Sequence, residues 1–502
     1  MRSFRDSDGD GIGDLAGVTE SLPYVRDLGV DALWLSPIHP SPDRDLGYDV
    51  TDYLGVDARL GSLADLDALL ARAHAAGMAV ILDWVGNHTS DRHPWFREAR
   101  ASRSSPRRDW YVFRAGRGGG PPNNWRSIFG GSAWQYDDRS GEWYLHTFLP
   151  EQPDLNWSNE EVREAMGAAM RFWLERGVDG FRLDALPLFI KDARLRNNPV
   201  NPDWRPGMSE YRRVRPKWTV DQPEMDEVLV FLREIVSGFS DRVLVAEMGL
   251  PPARAARYHG AIDIPLNFGL ITEPWTAERL ERRIRAYIEA LPDGAWANWV
   301  LGNHDVSRVA TRLGEELARS AAVIATTLPG ALTLYFGDEL GLPDHPSPAH
   351  PPRDALGRLD PARSRDPQRS PMPWDRSLNS GFSSGSPWLP LHPRAAERSV
   401  AAQQDDPRST LTLYRGLLAL RREHPCLATG ELTELRADEG TLSYERPGRP
   451  HFVIIARLGE APATVELPRA GRVIISSKPR ARAAVARTVE LASREAVVLE
   501  LA

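Results

Sequence analysis

Short apolar runs alternate with helical segments along most of the chain, and this alternation constrains the fold more than any other feature. The runs are almost continuously hydrophobic, as strands buried on both faces require. Residues 62–77 and 159–177 place apolar residues at helical spacing, begin with Ser or Asn and end at Gly. Repeated βα units of this kind predict an α/β fold with a parallel sheet, most simply a (β/α)₈ TIM barrel. The predicted strands are 30–37, 78–85, 178–185, 242–248, 261–268, 298–305 and 331–339.

Two regions interrupt this alternation. The stretch between Asn87 and Asn159 is rich in Trp, Arg and Gly and is too long for a simple connection, which predicts an inserted subdomain. The Pro-rich segment 343–395 follows the last predicted strand and is expected to be a long loop at the catalytic end of the barrel. Beyond the helix predicted at 409–425, short β-rich runs predict a C-terminal antiparallel β domain. The expected organisation is barrel at 1–87, subdomain after the third barrel strand at 88–158, barrel again at 159–428, and β domain at 429–502.

Composition narrows the class of protein. A net charge of −7 over 502 residues disfavours a nucleic-acid partner. Cys426 is the single cysteine in the sequence, so neither an intrachain disulfide nor a Cys-rich metal site can form. The first residues lack the apolar core of a signal peptide, and no apolar run reaches the roughly 18 residues of a membrane span. The sequence therefore predicts a cytoplasmic protein without a membrane partner.

Three acids end predicted strands. Asp184, Glu247 and Asp305 occupy these positions, and in a barrel such strand ends converge on one pocket. A single acid after a strand is commonly a helix cap or a loop residue. Two of these acids, however, have a basic residue close in the chain, Arg182 and His304. Paired carboxylates without metal-binding histidines indicate glycoside hydrolysis, in which one acid attacks or activates water and another protonates the leaving oxygen.

The neighbours of the acids predict their protonation. Arg182 lies on the same strand face two residues before Asp184 and can hold that carboxylate ionised, as a nucleophile requires. Glu247 follows a run of apolar residues and has no adjacent cation in the chain. We therefore expect Glu247 to keep its proton more easily, as a general acid must.

At this point the sequence resembles glycoside hydrolase family 13, the α-amylase superfamily, in its α-glucosidase and oligo-1,6-glucosidase branch. Four segments stand in the order of the signature regions of that family, and a fifth segment, QPDLN at 152–156, is similar to its fifth region. The four segments are DWVGNH (83–88), GFRLDALP (180–187), AEMG (246–249) and LGNHDVSR (301–308).

The resemblance implies a role for each matching residue. Asp184 would be the nucleophile, Glu247 the acid and base, and Asp305 the group that stabilises the transition state by holding sugar hydroxyls. The same sugar subsite would be lined by Arg182, His88 and His304.

Two further segments resemble parts of the family that point to exo-acting enzymes. DLGYDVTDY (45–53) implies that Asp45 bonds to a terminal glucose and that Tyr48 stacks on its ring. RDPQRSPMPWD (365–375) implies that Arg369 also contacts this glucose. Together these residues would close one end of the pocket and favour removal of a single glucose from a chain end.

The segment DSDGDGIGD (6–14) is the clearest metal candidate. Asp6, Asp8, Asp10, the Ile12 carbonyl and Asp14 offer hard oxygen ligands at a spacing that suits Ca²⁺. The family often binds a structural Ca²⁺ at this loop, so the resemblance implies the same here. Mg²⁺ or an Asp-rich turn without a metal are the alternatives.

The start of the chain departs from the family pattern. Relatives begin with an apolar strand that leads into a segment like MRSF, so the first barrel strand is expected to be missing. Either the start was assigned too late, or the chain is a fragment whose barrel has a gap between its first and last strands.

Three functions agree with these observations to different degrees. The leading hypothesis is a retaining, exo-acting α-glucosidase that acts on short oligosaccharides such as maltose. A related transglucosylase, or an isomerase of sucrose or trehalose, would share every residue named. A non-catalytic scaffold is disfavoured by the intact acids. Ala185 follows the proposed nucleophile where a core strand would favour Val or Ile, and in the related enzymes a small residue here accompanies α-1,4 specificity.

Overall fold

The computed structural model describes residues 1–480 and 483–502. Its strands, numbered in chain order, are β1 (Ala32–Leu35), β2 (Ala79–Trp84), β3 (Phe113–Arg114), β4 (Trp134–Asp137), β5 (Glu142–Leu145), β6 (Gly180–Leu183), β7 (Val243–Met248), β8 (Ile264–Asn267), β9 (Asn298–Val300), β10 (Ala331–Thr333), β11 (Thr433–Asp438), β12 (Thr441–Arg446), β13 (Phe452–Arg457), β14 (Ala463–Glu466), β15 (Gly471–Ser476), β16 (Ala484–Val485), β17 (Thr488–Leu491) and β18 (Ala496–Leu501).

Helices alternate with the parallel strands β1, β2 and β6 to β10, as a βα fold requires. They are α1 (Leu15–Glu20), α2 (Leu22–Leu28), α3 (Leu63–Ala75), α4 (Pro94–Ala101), α5 (Glu160–Glu175), α6 (Met225–Ser237), α7 (Pro252–Ala255), α8 (Gly269–Thr272), α9 (Ala277–Ala290), α10 (Val309–Leu313), α11 (Glu315–Thr327), α12 (Ala355–Leu359), α13 (Val400–Gln403), α14 (Thr410–Glu423) and α15 (Cys426–Thr429). Within the part of the chain that the structure describes, no helix is both long enough and apolar enough to cross a membrane.

Parallel strands form the predicted barrel wall. β1, β2, β6, β7 and β8 pair in that order, and β9 pairs with β10. Helices α3, α5, α6, α9 and α11 connect successive strands and cover the outside of the sheet. The α/β barrel is therefore confirmed. The described residues contain seven parallel strands, and β1 and β10 are edge strands of their sheets.

Local sequence explains where the covering helices begin and end. Ser62 accepts the backbone N–H of Asp65, and the Asp65 carboxylate accepts the N–H of Ser62, so α3 begins with a capping box. Gly77 and Gly177 follow α3 and α5 with φ angles of 74° and 103°, a left-handed conformation that glycine adopts without strain. These ends turn the chain directly into β2 and β6, which carry functional residues.

An inserted segment separates β2 from α5. It contains α4 and an antiparallel sheet with the order β3, β5, β4. A second long connection, from residue 184 to residue 224, precedes α6 and was not predicted from the sequence. The segment 343–395 contains α12 and several short 3₁₀ turns, and it is anchored in the core through Met372 and Phe382, which are fully buried. These three connections all contribute to the cavity described below.

The C-terminal residues form the predicted antiparallel β domain. One sheet has the order β11, β12, β13, β18, β15, β16, and β14 pairs with β17. Arg446, on β12, is completely buried and ties this domain to the barrel. Its Nη2 donates to the carbonyl oxygen of Cys426 at 2.6 Å and of Gly430 at 2.9 Å, and its Nη1 donates to the carbonyl of Thr327. The domain boundaries given above stay predictions.

Candidate active site

Strand register brings four charged residues to the inner face of the barrel. Asp83 lies opposite Arg182, and Arg182 lies opposite Val245. Residues paired in this way point to the same face of a sheet, as do residues two apart in one strand. Asp184 follows Arg182 by two residues, and Glu247 follows Val245 by two. The three carboxyl groups and the guanidinium therefore meet at the C-terminal ends of neighbouring strands.

The Arg182 guanidinium bonds to all three carboxylates. Its Nη1 donates to Asp83 Oδ1 at 2.9 Å and to Asp184 Oδ1 at 2.6 Å. Its Nη2 donates to Glu247 Oε2 at 2.7 Å. The guanidinium carbon also lies 4.9 Å from the centre of the Trp34 ring, which adds a cation–π contact. Because only 2% of the Arg182 side chain is exposed, solvent screens these interactions weakly.

Glu247 has no cation beside it in the chain, but it has a cationic neighbour in the folded protein. Arg182 reaches its carboxylate from the adjacent strand, and the backbone N–H of Ala185 donates to the same oxygen at 3.2 Å. The chain neighbours of Glu247 could not reveal this contact, because it depends on strand pairing. The Glu247 side chain is 25% exposed and that of Asp184 is 10% exposed, so Glu247 is the more open of the two to the cavity.

Three carboxylates share one guanidinium, so their combined charge exceeds that of the cation. Burial raises the pKa of Asp184 well above its usual range, and the attraction of Arg182 opposes this while Glu247 and Asp83 add to it. Burial also raises the pKa of Asp83, again against the attraction of Arg182. Negative charges this close together repel one another, so the three carboxyls are not all ionised easily. We expect the cluster to keep one proton. One carboxyl can then act as an acid while another is ionised.

Ala185 does not have the strand conformation expected for it. β6 ends at Leu183, and Ala185 has φ 48° and ψ 33°, in the left-handed region. A β-branched residue is strained in this region, so the expectation that Val or Ile would be favoured here as part of a strand is wrong. The left-handed turn aims the backbone N–H of Ala185 at Glu247.

Asp305 is held by two arginines from the long segment after β10. Arg365 Nη1 lies 2.7 Å and Arg369 Nη2 lies 3.2 Å from Asp305 Oδ1. Burial alone would raise the pKa of Asp305, but the positive charges around it hold the pKa well below its usual range. Burial lowers the pKa of His304 to about 3, so this histidine is neutral near pH 7 and the arginines supply the positive charge. Asp305 is therefore ionised.

Asp45, Tyr48 and His88 form the far side of the site. Asp45 Oδ1 accepts Arg365 Nη2 at 2.8 Å, which places one guanidinium between Asp45 and Asp305. The Tyr48 hydroxyl donates to Asp83 Oδ2 at 2.9 Å, and its ring stacks on His304 with 5.6 Å between ring centres. His88 Nε2 lies 2.9 Å from the Tyr48 carbonyl oxygen. These contacts fix the three side chains before any ligand binds.

A cavity of about 480 Å³ joins these groups. Seven of the nine predicted catalytic and substrate-binding residues line it, while Arg182 and Arg369 support the lining carboxylates from behind. The seven are Asp45, Tyr48, His88, Asp184, Glu247, His304 and Asp305. The rest of its lining is mostly apolar and includes Phe129, Pro216, Val220, Leu250 and Leu356.

Sequence reasoning missed four residues of the site. Arg365 bonds to Asp45, Asp305 and Asp354, and it stands in the segment from which only Arg369 was chosen. The other missed residues also stand in or near segments already singled out, and each bonds to a residue of the site. They are Asp83, which binds Arg182 and Tyr48, Gln152, which donates to Asp45, and Asp354, which binds Arg365.

The N-terminal Asp-rich loop brings together part of its predicted ligand set. Asp6, Asp8 and Asp14 place carboxylate oxygens within 4.8 Å of one another. Asp10 lies outside this group, and its Oδ1 accepts the backbone N–H of Ile12 at 2.7 Å.

Comparisons with known proteins agree with this geometry. The model of the α-amylase catalytic domain matches residues 1–430. A probable α-glucosidase of Rhizobium meliloti (strain 1021) is 40% identical over 490 residues, covering 93% of this chain and 89% of that protein. An oligo-1,6-glucosidase of Parageobacillus thermoglucosidasius is 34% identical over 512 residues, covering 93% of this chain and 90% of that protein.

Solved structures extend the similarity to the whole chain. The α-glucosyl transfer enzyme XgtA has a TM-score of 0.94 and 37% identity, with 100% of this chain and 97% of that chain covered. A structure of the trehalulose synthase MutB has a TM-score of 0.89 and 32% identity, with 100% of this chain and 98% of that chain covered. The chain therefore belongs to the α-amylase family, glycoside hydrolase family 13, in its α-glucosidase and oligo-1,6-glucosidase branch.

Proposed function

We propose that this glycoside hydrolase is a retaining, exo-acting α-glucosidase that removes terminal glucose from short oligosaccharides. The observation that carries the proposal is the Arg182 guanidinium, whose two Nη atoms hold Asp184 and Glu247 side by side. Retaining glycosidases keep their two carboxyls about 5 to 5.5 Å apart, closer than inverting enzymes do. Two carboxylates on one guanidinium fit the closer arrangement.

The family to which the chain belongs supports the role of each group, and these roles require the proton shared by the carboxyls to lie on Glu247 when Asp184 attacks. Asp184 attacks the anomeric carbon, and Glu247 gives its proton to the glycosidic oxygen as that bond breaks. Water then attacks the glycosyl ester, giving its proton to Glu247, and Asp184 leaves as a carboxylate. Asp305, ionised between Arg365 and Arg369, accepts hydrogen bonds from sugar hydroxyls. Two inversions at one carbon return the α-configuration.

The closed end of the cavity supports exo action. Asp45, Arg365 and Asp305 are joined by short ion pairs, 2.8 and 2.7 Å long, and these residues come from separate parts of the chain. A sugar chain that continued past this point would have to break the buried pairs, at a cost of about 3 to 5 kcal/mol for a pair that loses a partner. A single terminal glucose does not need to break them.

We further propose that α-1,4 links are cleaved faster than α-1,6 links. Ala185 lines the cavity directly after Asp184, and its single methyl leaves room beside the nucleophile for a 4-linked leaving sugar. Differences of this kind in pocket shape are worth about 1 to 3 kcal/mol, or roughly 10- to 200-fold in kcat/KM. Maltose and malto-oligosaccharides are the proposed substrates.

Proton NMR of the first-formed anomer tests the mechanism. Release of α-glucose from an aryl α-glucoside, whose leaving group is not a sugar, is expected, and release of β-glucose from it would contradict the retaining assignment. Asp184→Asn and Glu247→Gln should each lose most of kcat, while Asp27→Asn, at an exposed carboxylate on α2, should keep it. Circular dichroism of each variant checks that the fold persists.

Transfer to an acceptor sugar is the second candidate function. The apolar wall of the cavity, with Phe129, Leu250 and Leu356, favours it because such a wall can exclude water from the glycosyl ester. Two of the similar solved structures are a glucosyl transfer enzyme and a trehalulose synthase. Product analysis on sucrose, maltose and isomaltose separates the functions. Hydrolysis of maltose releases two glucose molecules per bond cleaved, transfer releases one and lengthens an acceptor sugar, and isomerisation of sucrose yields a new disaccharide.

We also propose a structural Ca²⁺ at the Asp-rich loop. Asp6, Asp8 and Asp14 would hold it, and their oxygens within 4.8 Å fit a Ca²⁺ with ligands at about 2.3 to 2.6 Å. The ion would neutralise these carboxylates and fix the loop. Asp6 Oδ2 accepts the Ser383 hydroxyl at 2.5 Å, so the loop is also tied to the segment that carries Arg365 and Arg369.

A further inference from the structure

A second cavity, of about 370 Å³, lies behind the catalytic cavity. Gly249 and Leu250 line both cavities, so the segment that follows Glu247 forms a wall between them. The walls of the second cavity are mostly apolar and include Pro251, Pro252, Leu266, Phe268 and Leu291. A volume of this size matches small-molecule sites, which combine apolar walls with a few polar groups.

Asn267 supplies one polar group to this second cavity. It lies at the end of β8 and is 8% exposed. Its Oδ1 accepts the backbone N–H of Gly269 at 2.9 Å, and this bond fixes the orientation of the amide. The Nδ2 group is then left buried without a hydrogen-bond partner among the described residues. A buried donor without a partner is uncommon and calls for an acceptor.

Arg283, on α9, supplies the second polar group. Its Nε is buried and has no hydrogen-bond partner among residues 1–480 and 483–502, and no carboxylate of those residues lies within 4.0 Å of its guanidinium. A Cβ atom at residue 269 would lie 2.5 Å from this Nε, so Gly269 is what allows the guanidinium to lie here. The arginine is a partly buried cation without a protein counter-ion.

We propose that the second cavity binds a small organic anion, a carboxylate or a phosphate on an apolar body. Both unpartnered groups, Asn267 Nδ2 and Arg283 Nε, are donors, and one of them is cationic. An anionic group can accept a charge-assisted hydrogen bond from the guanidinium, and its oxygens are also acceptors for the amide. The apolar walls would contact the remaining, apolar part of the ligand. An organic anion therefore fits this cavity better than an inorganic ion does.

Binding here is coupled to catalysis through the shared wall, a step that rests on the proposed function. Met248 ends β7, and Gly249 and Leu250, which follow it, line both cavities. A ligand against Leu250 restricts this segment and thereby the Glu247 carboxyl, which lies three residues earlier. A bound anion therefore changes kcat without competing with the sugar.

Isothermal titration calorimetry with three probes tests the binding itself. Benzoate and phenyl phosphate supply the two anionic groups, and benzamide is a neutral molecule of the same shape. We expect at least one anion to bind at least tenfold more tightly than benzamide. Equal binding of benzamide, or no binding of either anion at about 10 mM, would overturn the proposal. This outcome does not depend on which sugar the enzyme cleaves.

Two variants locate the site. Arg283→Gln should weaken the bound anion at least tenfold, whereas Arg282→Gln, at the exposed neighbouring arginine of α9, should not. Binding that survives Arg283→Gln would place the anion elsewhere and refute the site. If Arg283→Gln fails to fold, Asn267→Asp serves instead, because it replaces the donor by a negative charge and should repel the anion.

Steady-state kinetics on maltose test the coupling. A saturating anion should change kcat at least twofold in the wild type, leave KM nearly unchanged, and have no effect in Arg283→Gln. A purely competitive pattern would show that the anion binds in the catalytic cavity, against the proposal. Binding by calorimetry without any kinetic effect would refute the coupling through residues 248–250.

Discussion

Replacing Ala185 by Val separates two effects of this position. The left-handed backbone, with φ 48° and ψ 33°, costs an L-residue about 1 to 2 kcal/mol of conformational free energy. A β-branched side chain is more strained in this conformation than Ala is. Ala185 already bears the cost of the left-handed backbone, so we expect Ala185→Val to lower the free energy of unfolding only by the added strain of the β-branched side chain, about 1 kcal/mol or less. If the steric proposal holds, the ratio of kcat/KM for maltose to that for isomaltose should also fall by about tenfold or more.

Ala185→Gly is the matched control, because glycine adopts this backbone without strain. It should keep the substrate ratio and nearly keep the stability. Urea unfolding gives the stability, and initial rates on both disaccharides give the ratio. A drop in kcat for both substrates at an unchanged ratio would refute the steric reasoning, since it would mean that Ala185 acts only through its backbone N–H bond to Glu247.

Three further predictions address the cations, the histidines and the metal. Arg365→Gln leaves Asp45 without its cation and should lower kcat/KM more than 100-fold, corresponding to about 3 kcal/mol, whereas Arg358→Gln, at an exposed arginine of the same segment, should not. Burial lowers the pKa of His39 to about 4 in the folded protein. As the pH falls, His39 therefore binds a proton in the unfolded chain before it does so in the folded protein. The stability it contributes is present above pH 6.5 and is lost as the pH falls towards 4, by about 3 kcal/mol in total, and pH-dependent urea unfolding of His39→Gln should lack this loss. Removal of Ca²⁺ with a chelator should lower the melting temperature of the wild type and of Asp10→Asn but not of Asp8→Asn, and an unaffected wild type would contradict the calcium proposal.

The barrel could be predicted because its signal is local. Continuous apolar runs and helix caps are properties of neighbouring residues, and these placed the strands that end near Asp184, Glu247 and Asp305. The rule that strand ends converge in a barrel then predicted that the three acids lie together, and they line one cavity.

What could not be predicted depends on contacts between distant segments. Arg182 reaches Glu247 only through the register of β6 and β7, which no chain neighbour of Glu247 reveals. Arg365 reaches Asp45 across 320 positions of sequence, along a loop without regular periodicity. The left-handed backbone of Ala185 also escaped prediction, because alanine carries no sequence signal for that conformation.

The single thiol of the sequence stands at the joint between barrel and β domain. The Cys426 carbonyl oxygen accepts a hydrogen bond from Arg446. A Cβ atom added at Gly448 would lie 3.0 Å from the Cys426 Sγ, so the β domain packs closely against this side chain. A maleimide reagent can therefore label the protein at one known position, and a rise in the labelling rate above that of the partly exposed native thiol would report separation of the two parts. Labelling in mild urea that precedes the loss of activity would identify domain separation as a step distinct from unfolding of the barrel.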